Sequence, residues 1–170
     1  RYLGFRFFLK DKLSWGNGVA FGIGHGGIEA VSLVGTAYLN NLAFSLMINN
    51  GTYDKVIGSQ LAPETAALIK EQLINTAPSM FLLGGAERLF TLGIQIALSL
   101  VVLYGVRNKR LSYLGYAILL HTLANSVAVL LTQGGVSVWL TEAVVFIMSC
   151  IALFWIKKSR ELFRSQAGTV

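Results

Sequence analysis

The chain has 170 residues, 54% of them hydrophobic and 13% charged, with a formal net charge of +6. Soluble domains carry roughly 25% charged residues, so this deficit, with a mean hydropathy of +0.62, excludes an ordinary soluble globule and points to an integral membrane protein. The positive charge flanks apolar runs and has none of the motif support of a nucleic-acid-binding face; the single cysteine, Cys150, excludes an internal disulfide and a Cys-rich zinc module and reads as packing.

Residues 1–12 mix aromatics with Arg1, Arg6, Lys10 and Lys12 and read as the tail of a preceding membrane helix entering a basic interface. Trp15 suits the headgroup level. Residues 17–48 form the first complete span, one long or tilted helix, since about 20 apolar residues suffice to cross; Asn49-Asn50-Gly51 stops it. Residues 52–77 are the long polar stretch. Within them Pro63 opens a short amphipathic helix with Ala66, Ile69 and Leu73 on one face, expected to lie at the interface. Residues 79–105 are a second span, interrupted early by Gly84-Gly85-Ala86-Glu87-Arg88. A basic turn, 106–110, leads to a third span at 111–132, and Gln133-Gly134-Gly135 turns the chain into a fourth at 136–156. Residues 157–164 form a basic amphipathic end. The expected fold is all-α, a polytopic transmembrane helical bundle of four complete spans with the tail of a preceding helix and a short interfacial helix. Residues 1–170 read as one transmembrane domain, the C-terminal part of a longer membrane protein.

Lys and Arg set orientation. The N-terminal flank carries four, the 106–110 turn three and the 157–164 end four of the 14 in the chain. These three regions are expected on the cytoplasmic side and residues 52–77 outside, in a bacterial cytoplasmic membrane.

The stretch Gly22–Ala30, GIGHGGIEA, places an ionisable pair inside a span. His25 and Glu29 are four residues apart and share a helix face. Gly18, Gly22 and Gly26 form a stripe that lets another helix come close. Further polar groups lie in later spans: Glu87 with Arg88, Gln95, and His121 with Asn125. At ~1.5 Å per residue from the nearest basic flank, His25 lies ~20 Å deep, Glu29 ~25 Å, Gln95 ~18 Å, Glu87 ~30 Å, His121 ~16 Å and Asn125 ~22 Å. Each alone costs energy in lipid, so a common layer points to one wet cavity. His25 and His121 are expected to face one another across it, with Asn125 and Glu29 on its wall. Glu87-Arg88 stands equally well as a structural ion pair, and Gln95 as an interhelical hydrogen-bonding group. The match of Gly22-x-Gly24-x-x-Gly27 to a dinucleotide fingerprint is rejected, because no strand or βαβ unit accompanies it.

Such a constellation supports several chemistries. A glutamate beside a histidine in an apolar site can activate water, while His and Asn donate hydrogen bonds to a developing oxyanion. Alternatively His25, His121 and a glutamate could hold zinc. A proton relay in a proton-coupled transporter, or a non-catalytic assembly or regulatory subunit, are the other readings.

Three stretches carry a resemblance: FGIGHGGIEA (Phe21–Ala30), GGAERLFTLGIQIALSLVVLYGVRN (Gly84–Asn108) and HTLAN (His121–Asn125). Through them the chain resembles the YhfC-type family of intramembrane proteases, related to the CAAX-prenyl-protease and bacteriocin-processing clan. That clan has the motifs EExxxR, FxxxH and HxxxN or HxxxD. Phe21-x-x-x-His25 fits the second and His121-x-x-x-Asn125 the third. The resemblance implies a peptidase in which a glutamate- or metal-activated water attacks a peptide bond, with the histidines and Asn125 orienting water and stabilising the oxyanion. The candidate catalytic residues are His25, His121, Asn125, Glu29 and Glu87; Phe21, Arg88 and Gln95 are the candidate substrate-binding residues. The glutamate route requires no cofactor, whereas the metal route places zinc on His25 and His121. The expected partners are membrane lipid and a membrane-embedded peptide or protein, not nucleic acid. The glutamate pair of the first motif is absent. If Arg1 is that motif's arginine, the pair lies upstream, and the 170-residue chain alone is expected to be inactive.

Overall fold

A computed structural model of the chain describes residues 1–164. Those residues form helices without a strand: a π-helical segment at Gly4–Phe8, α1 (Trp15–Ala30), a second π-helical segment at Val31–Gly35, α2 (Thr36–Asn49), α3 (Tyr53–Val56), α4 (Pro63–Asn75), α5 (Pro78–Arg107), α6 (Ser112–Gln133) and α7 (Val138–Arg164). Four helical stretches are long and apolar enough to cross a bilayer: Trp15–Asn49, Pro78–Arg107, Ser112–Gln133 and Val138–Arg164. The polytopic helical bundle is therefore the architecture. Large apolar side chains on its surface, such as Leu119 at 68% and Phe154 at 69% exposure, suit hydrocarbon and not water.

The elements depart from the sequence reading in three places, each for a local reason. Gly84-Gly85 does not interrupt α5, which runs unbroken for 30 residues; in lipid a helix is the way a single segment satisfies its own backbone, so glycine is tolerated there. The first span carries a π-helical turn, in which the Thr36 N–H reaches back to the Val31 carbonyl. The basic end does not follow the last span as a separate piece but extends α7 to Arg164.

The chain divides into two compact units, one made of Arg1–Ile28 with the chain from Gly85 onward, the other of Glu29–Gly84. In the first unit α5 is the central helix, with ten buried residues from Gly93 to Val106. Phe5, Leu98, Leu100, Val102, Leu103, Ala117 and Phe163 form its core. The glycine stripe of α1 is buried against α5: a Cβ on Gly22 would stand 2.6 Å from the Cα of Ile96, backbone that cannot give way. Removing the side chain at this one row lets the two helix backbones touch. Trp15 Nε1 donates to Ser159 Oγ at 3.1 Å and Arg107 Nη1 to the Phe163 carbonyl at 3.2 Å. These bonds tie the end of α7 to the starts and ends of its neighbours.

The second unit has its own small core, Tyr53, Ile57 and Ala66, with Phe44, Met47, Ile48 and Ile69 packed on it. Tyr53 Oη donates to the Ala66 carbonyl at 3.0 Å, so the amphipathic helix α4 is held by the face its periodicity marked. Tyr38 Oη donates to the Phe81 carbonyl at 2.8 Å.

Candidate active site

His25 sits on the third turn of α1, half-buried. Phe21, one turn earlier, lies nearly parallel to its ring, with centroids 6.4 Å apart and an interplanar angle of 12°. Phe21 is itself packed on buried Phe5 at 4.4 Å. The FxxxH spacing thus gives the imidazole an aromatic wall that limits its rotation, and the glycine face of the same helix brings it close to α5. On α5, Gln95 is 6% exposed and its Oε1 accepts from an Arg1 guanidinium Nη2. A buried amide thereby holds the arginine side chain inward.

His121 lies midway along α6, half-buried. Asn125 Nδ2 is 3.3 Å from His121 Nε2. Which atom donates in this contact depends on the imidazole tautomer.

The two histidines line one cavity of about 270 Å³, together with Arg1, Tyr2, Thr122 and the apolar floor of Val102 and Ala117. Residues far apart in the chain are brought to one place by α1, α5, α6 and the N-terminal segment. Asn125 is exposed and reaches this cavity through His121. Glu29, at the end of α1, belongs to the second unit.

Glu87 and Arg88 are not with the histidines. They pair with each other, Arg88 Nη2 donating to Glu87 Oε1. Glu87 lines a separate cavity of about 340 Å³ with Ala128, Thr132, Gln133, Thr141 and Glu142. Thr141 Oγ1 and Glu142 Oε2 on its wall, and Arg88 Nε of the ion pair, are buried without hydrogen-bond partners among the described residues. Glu142 was missed from the sequence, although a carboxylate four residues into an apolar helix is the same signal that marked Glu29 and Glu87. Cys150 is exposed on α7 and not packed.

Two imidazoles make two of the three protein ligands that a catalytic zinc takes. Among the described residues no group of three His, Cys, Asp or Glu is close enough to hold a metal ion. Among the described residues the two imidazoles do not complete a zinc ligand set.

A family model, YhfC intramembrane metalloprotease, matches residues 1–147. The chain is similar to "Uncharacterized membrane protein YhfC" of Bacillus subtilis (strain 168), 38% identical over 165 residues, which is 96% of this chain and 64% of the relative. The chain thus spans less than two thirds of that curated relative's length. No solved structure matches. Four helices able to cross a bilayer and a relative named as a membrane protein make this a multi-pass membrane protein in contact with lipid. With a family match over most of its length, the chain belongs to the YhfC intramembrane metalloprotease family.

Proposed function

We propose that the cavity shared by His25 and His121 is the substrate-binding and oxyanion-stabilising part of an intramembrane peptidase. One observation carries this reading: residues of the FxxxH and HxxxN motifs, distant in sequence, line one cavity at span depth with Arg1 beside them. Under it, the ring N–H groups of His25 and His121 hydrogen-bond the oxygen of the scissile carbonyl as it gains charge. Such donors act strongly where water is excluded. Asn125 limits the tilt of the His121 ring, and Gln95 holds the Arg1 guanidinium over the cavity. Phe21 presses on His25 and borders the substrate.

Among the described residues that line the cavity there is no carboxylate, and its two imidazoles do not complete a zinc set, so we place the water-activating group outside it. We assign the activating group to a portion of the longer relatives that this chain does not span, with Arg1 as the arginine of the first motif. The whole protein is then the peptidase, and this chain its binding and orienting part.

Cleavage of a transmembrane reporter peptide by the full-length family protein tests the reading. His25→Ala and His121→Ala are each expected to lower the rate by roughly 10²–10³, the cost of one lost oxyanion donor. Both variants cleaving at the parental rate would refute the site. The 170-residue chain alone is expected to be inactive; activity in it would transfer the role of base to Glu29 or Glu87.

One observation favours a second reading. Glu87 and Glu142 line their own cavity in the spans, as a proton path would require. Proton uptake by vesicles, lost in Glu142→Gln and kept in His25→Ala, would support that reading over the first.

A further inference from the structure

The turn between α5 and α6 builds a third polar cavity, distinct from the two above. It measures about 310 Å³ and is lined by Tyr2, Arg6, Gly105, Lys109, Arg110 and Leu111. Three of these residues are cations and none is a carboxylate. Among the described residues, the side chains of Arg6, Lys109 and Arg110 make no hydrogen bond or ion pair. Cations gathered without an acidic partner repel one another, and the arrangement is relieved by an anion.

The backbone is built for the gathering. A Cβ on Gly105 would lie 2.6 Å from the Tyr113 Cβ and 2.9 Å from the Arg110 carbonyl oxygen, so the start of α6 rests directly on the α5 backbone. The Arg110 N–H donates back to the Gly105 carbonyl at 2.8 Å. Lys109 takes a φ of 55°, the left-handed region where glycine or asparagine sits more easily than lysine.

The surroundings select the kind of anion. The turn joins two membrane-spanning helices at the end where α5 finishes and α6 begins, which is headgroup level. Beside the cations, Leu111 is 65% exposed, and Phe7 and Phe8, next to Arg6, are 64% and 84% exposed. A cationic cavity flanked by bare apolar side chains matches a molecule with an anionic head and a hydrocarbon body.

We propose that this cavity binds the phosphodiester of an anionic phospholipid. Arg6, Lys109 and Arg110 take the phosphate oxygens, and Tyr2 Oη donates to one of them. Tyr2 also lines the histidine cavity, so the bound headgroup and the histidines share one wall. The site stands whether or not the histidine cavity is hydrolytic.

Native mass spectrometry of the full chain in mixed micelles tests it, with phosphatidylglycerol or phosphatidylcholine as the probe. A one-to-one complex is expected with phosphatidylglycerol and not with phosphatidylcholine. Each cation removed is expected to weaken binding roughly fivefold, so Arg6→Gln with Arg110→Gln weakens it on the order of 25-fold. Lys157→Gln with Lys158→Gln, basic residues outside the cavity, is expected to leave binding unchanged. Arg6→Lys with Arg110→Lys, which keeps the charge, is expected to retain the complex. Equal retention of the two lipids, or an equal loss in the Lys157 and Lys158 variant, would overturn the proposal. So would a loss in the charge-conserving variant as large as in the glutamine variant. Displacement of the lipid by millimolar inorganic phosphate would assign the cavity to a soluble anion and overturn the lipid as its occupant.

Discussion

The histidine cavity and the carboxylate cavity lie in the same unit, are of similar size, and are both walled by α5 and α6 or their neighbours, yet their polar groups are handled differently. Around the histidines, partners come from different helices or from a turn away: Gln95 takes Arg1, and Asn125 meets His121. Around the carboxylates, the ion pair joins adjacent residues, Glu87 and Arg88, while Arg88 Nε, Thr141 Oγ1 and Glu142 Oε2 are left without partners among the described residues. The first cavity's polar contacts join separate segments or successive helical turns; the second's ion pair joins sequence neighbours. The two cavities sit at different levels along the same helices: α6 contributes residues 114–122 to the first and 128–133 to the second, so position along the helix keeps their polar groups apart.

That comparison can be broken most forcefully at Gly22. In Gly22→Ala the new methyl group meets the Ile96 backbone, so α1 has to move away from α5 and carry His25 with it. We expect a loss of stability of about 2–3 kcal/mol, in the range of overpacked cores, read as a lower unfolding midpoint in detergent. An unchanged midpoint would mean that the two helices are not in backbone contact. Replacing Asn125 by Ala sharpens the comparison from the other side. As a residue that orients His121 through one hydrogen bond, it is worth about 1 kcal/mol, or roughly fivefold in the cleavage rate of the full-length protein. A loss of 10² or more would instead make Asn125 a direct oxyanion donor. The smallest effect is expected at Glu142→Gln, which leaves cleavage unchanged if the two cavities work independently. A large loss would join them into one functional site.

Much of the candidate site was legible in the sequence because its elements are short-range. His25 with Phe21, and His121 with Asn125, are one helical turn apart, and the geometry of a helix places such pairs on one face. The glycine stripe likewise announced a close neighbour. Glu87 was grouped with the histidines by depth, and the structure separates it. Its counted depth, ~30 Å against ~16–20 Å for the histidines at 1.5 Å per residue, already set it nearer the far end of the span, and its cavity lies at that level. Glu142 could have been found by the same rule that found the others.

The sequence by itself determined the membrane setting, the number of the spans and, apart from the far end of the fourth, their limits to within a few residues, and the pairs within each helix. In lipid the backbone has no partner but itself, so apolar length alone dictates helix. Only the tertiary structure decided that α1 uses its glycine row against α5, that Arg1 reaches Gln95, and that the histidines share a cavity from which Glu87 is excluded. Those outcomes rest on residues distant in the chain, such as Arg1 and Gln95, 94 positions apart. Side-chain volume fixes them, through which helix faces can approach closely, and the period of a pattern within one helix does not record it.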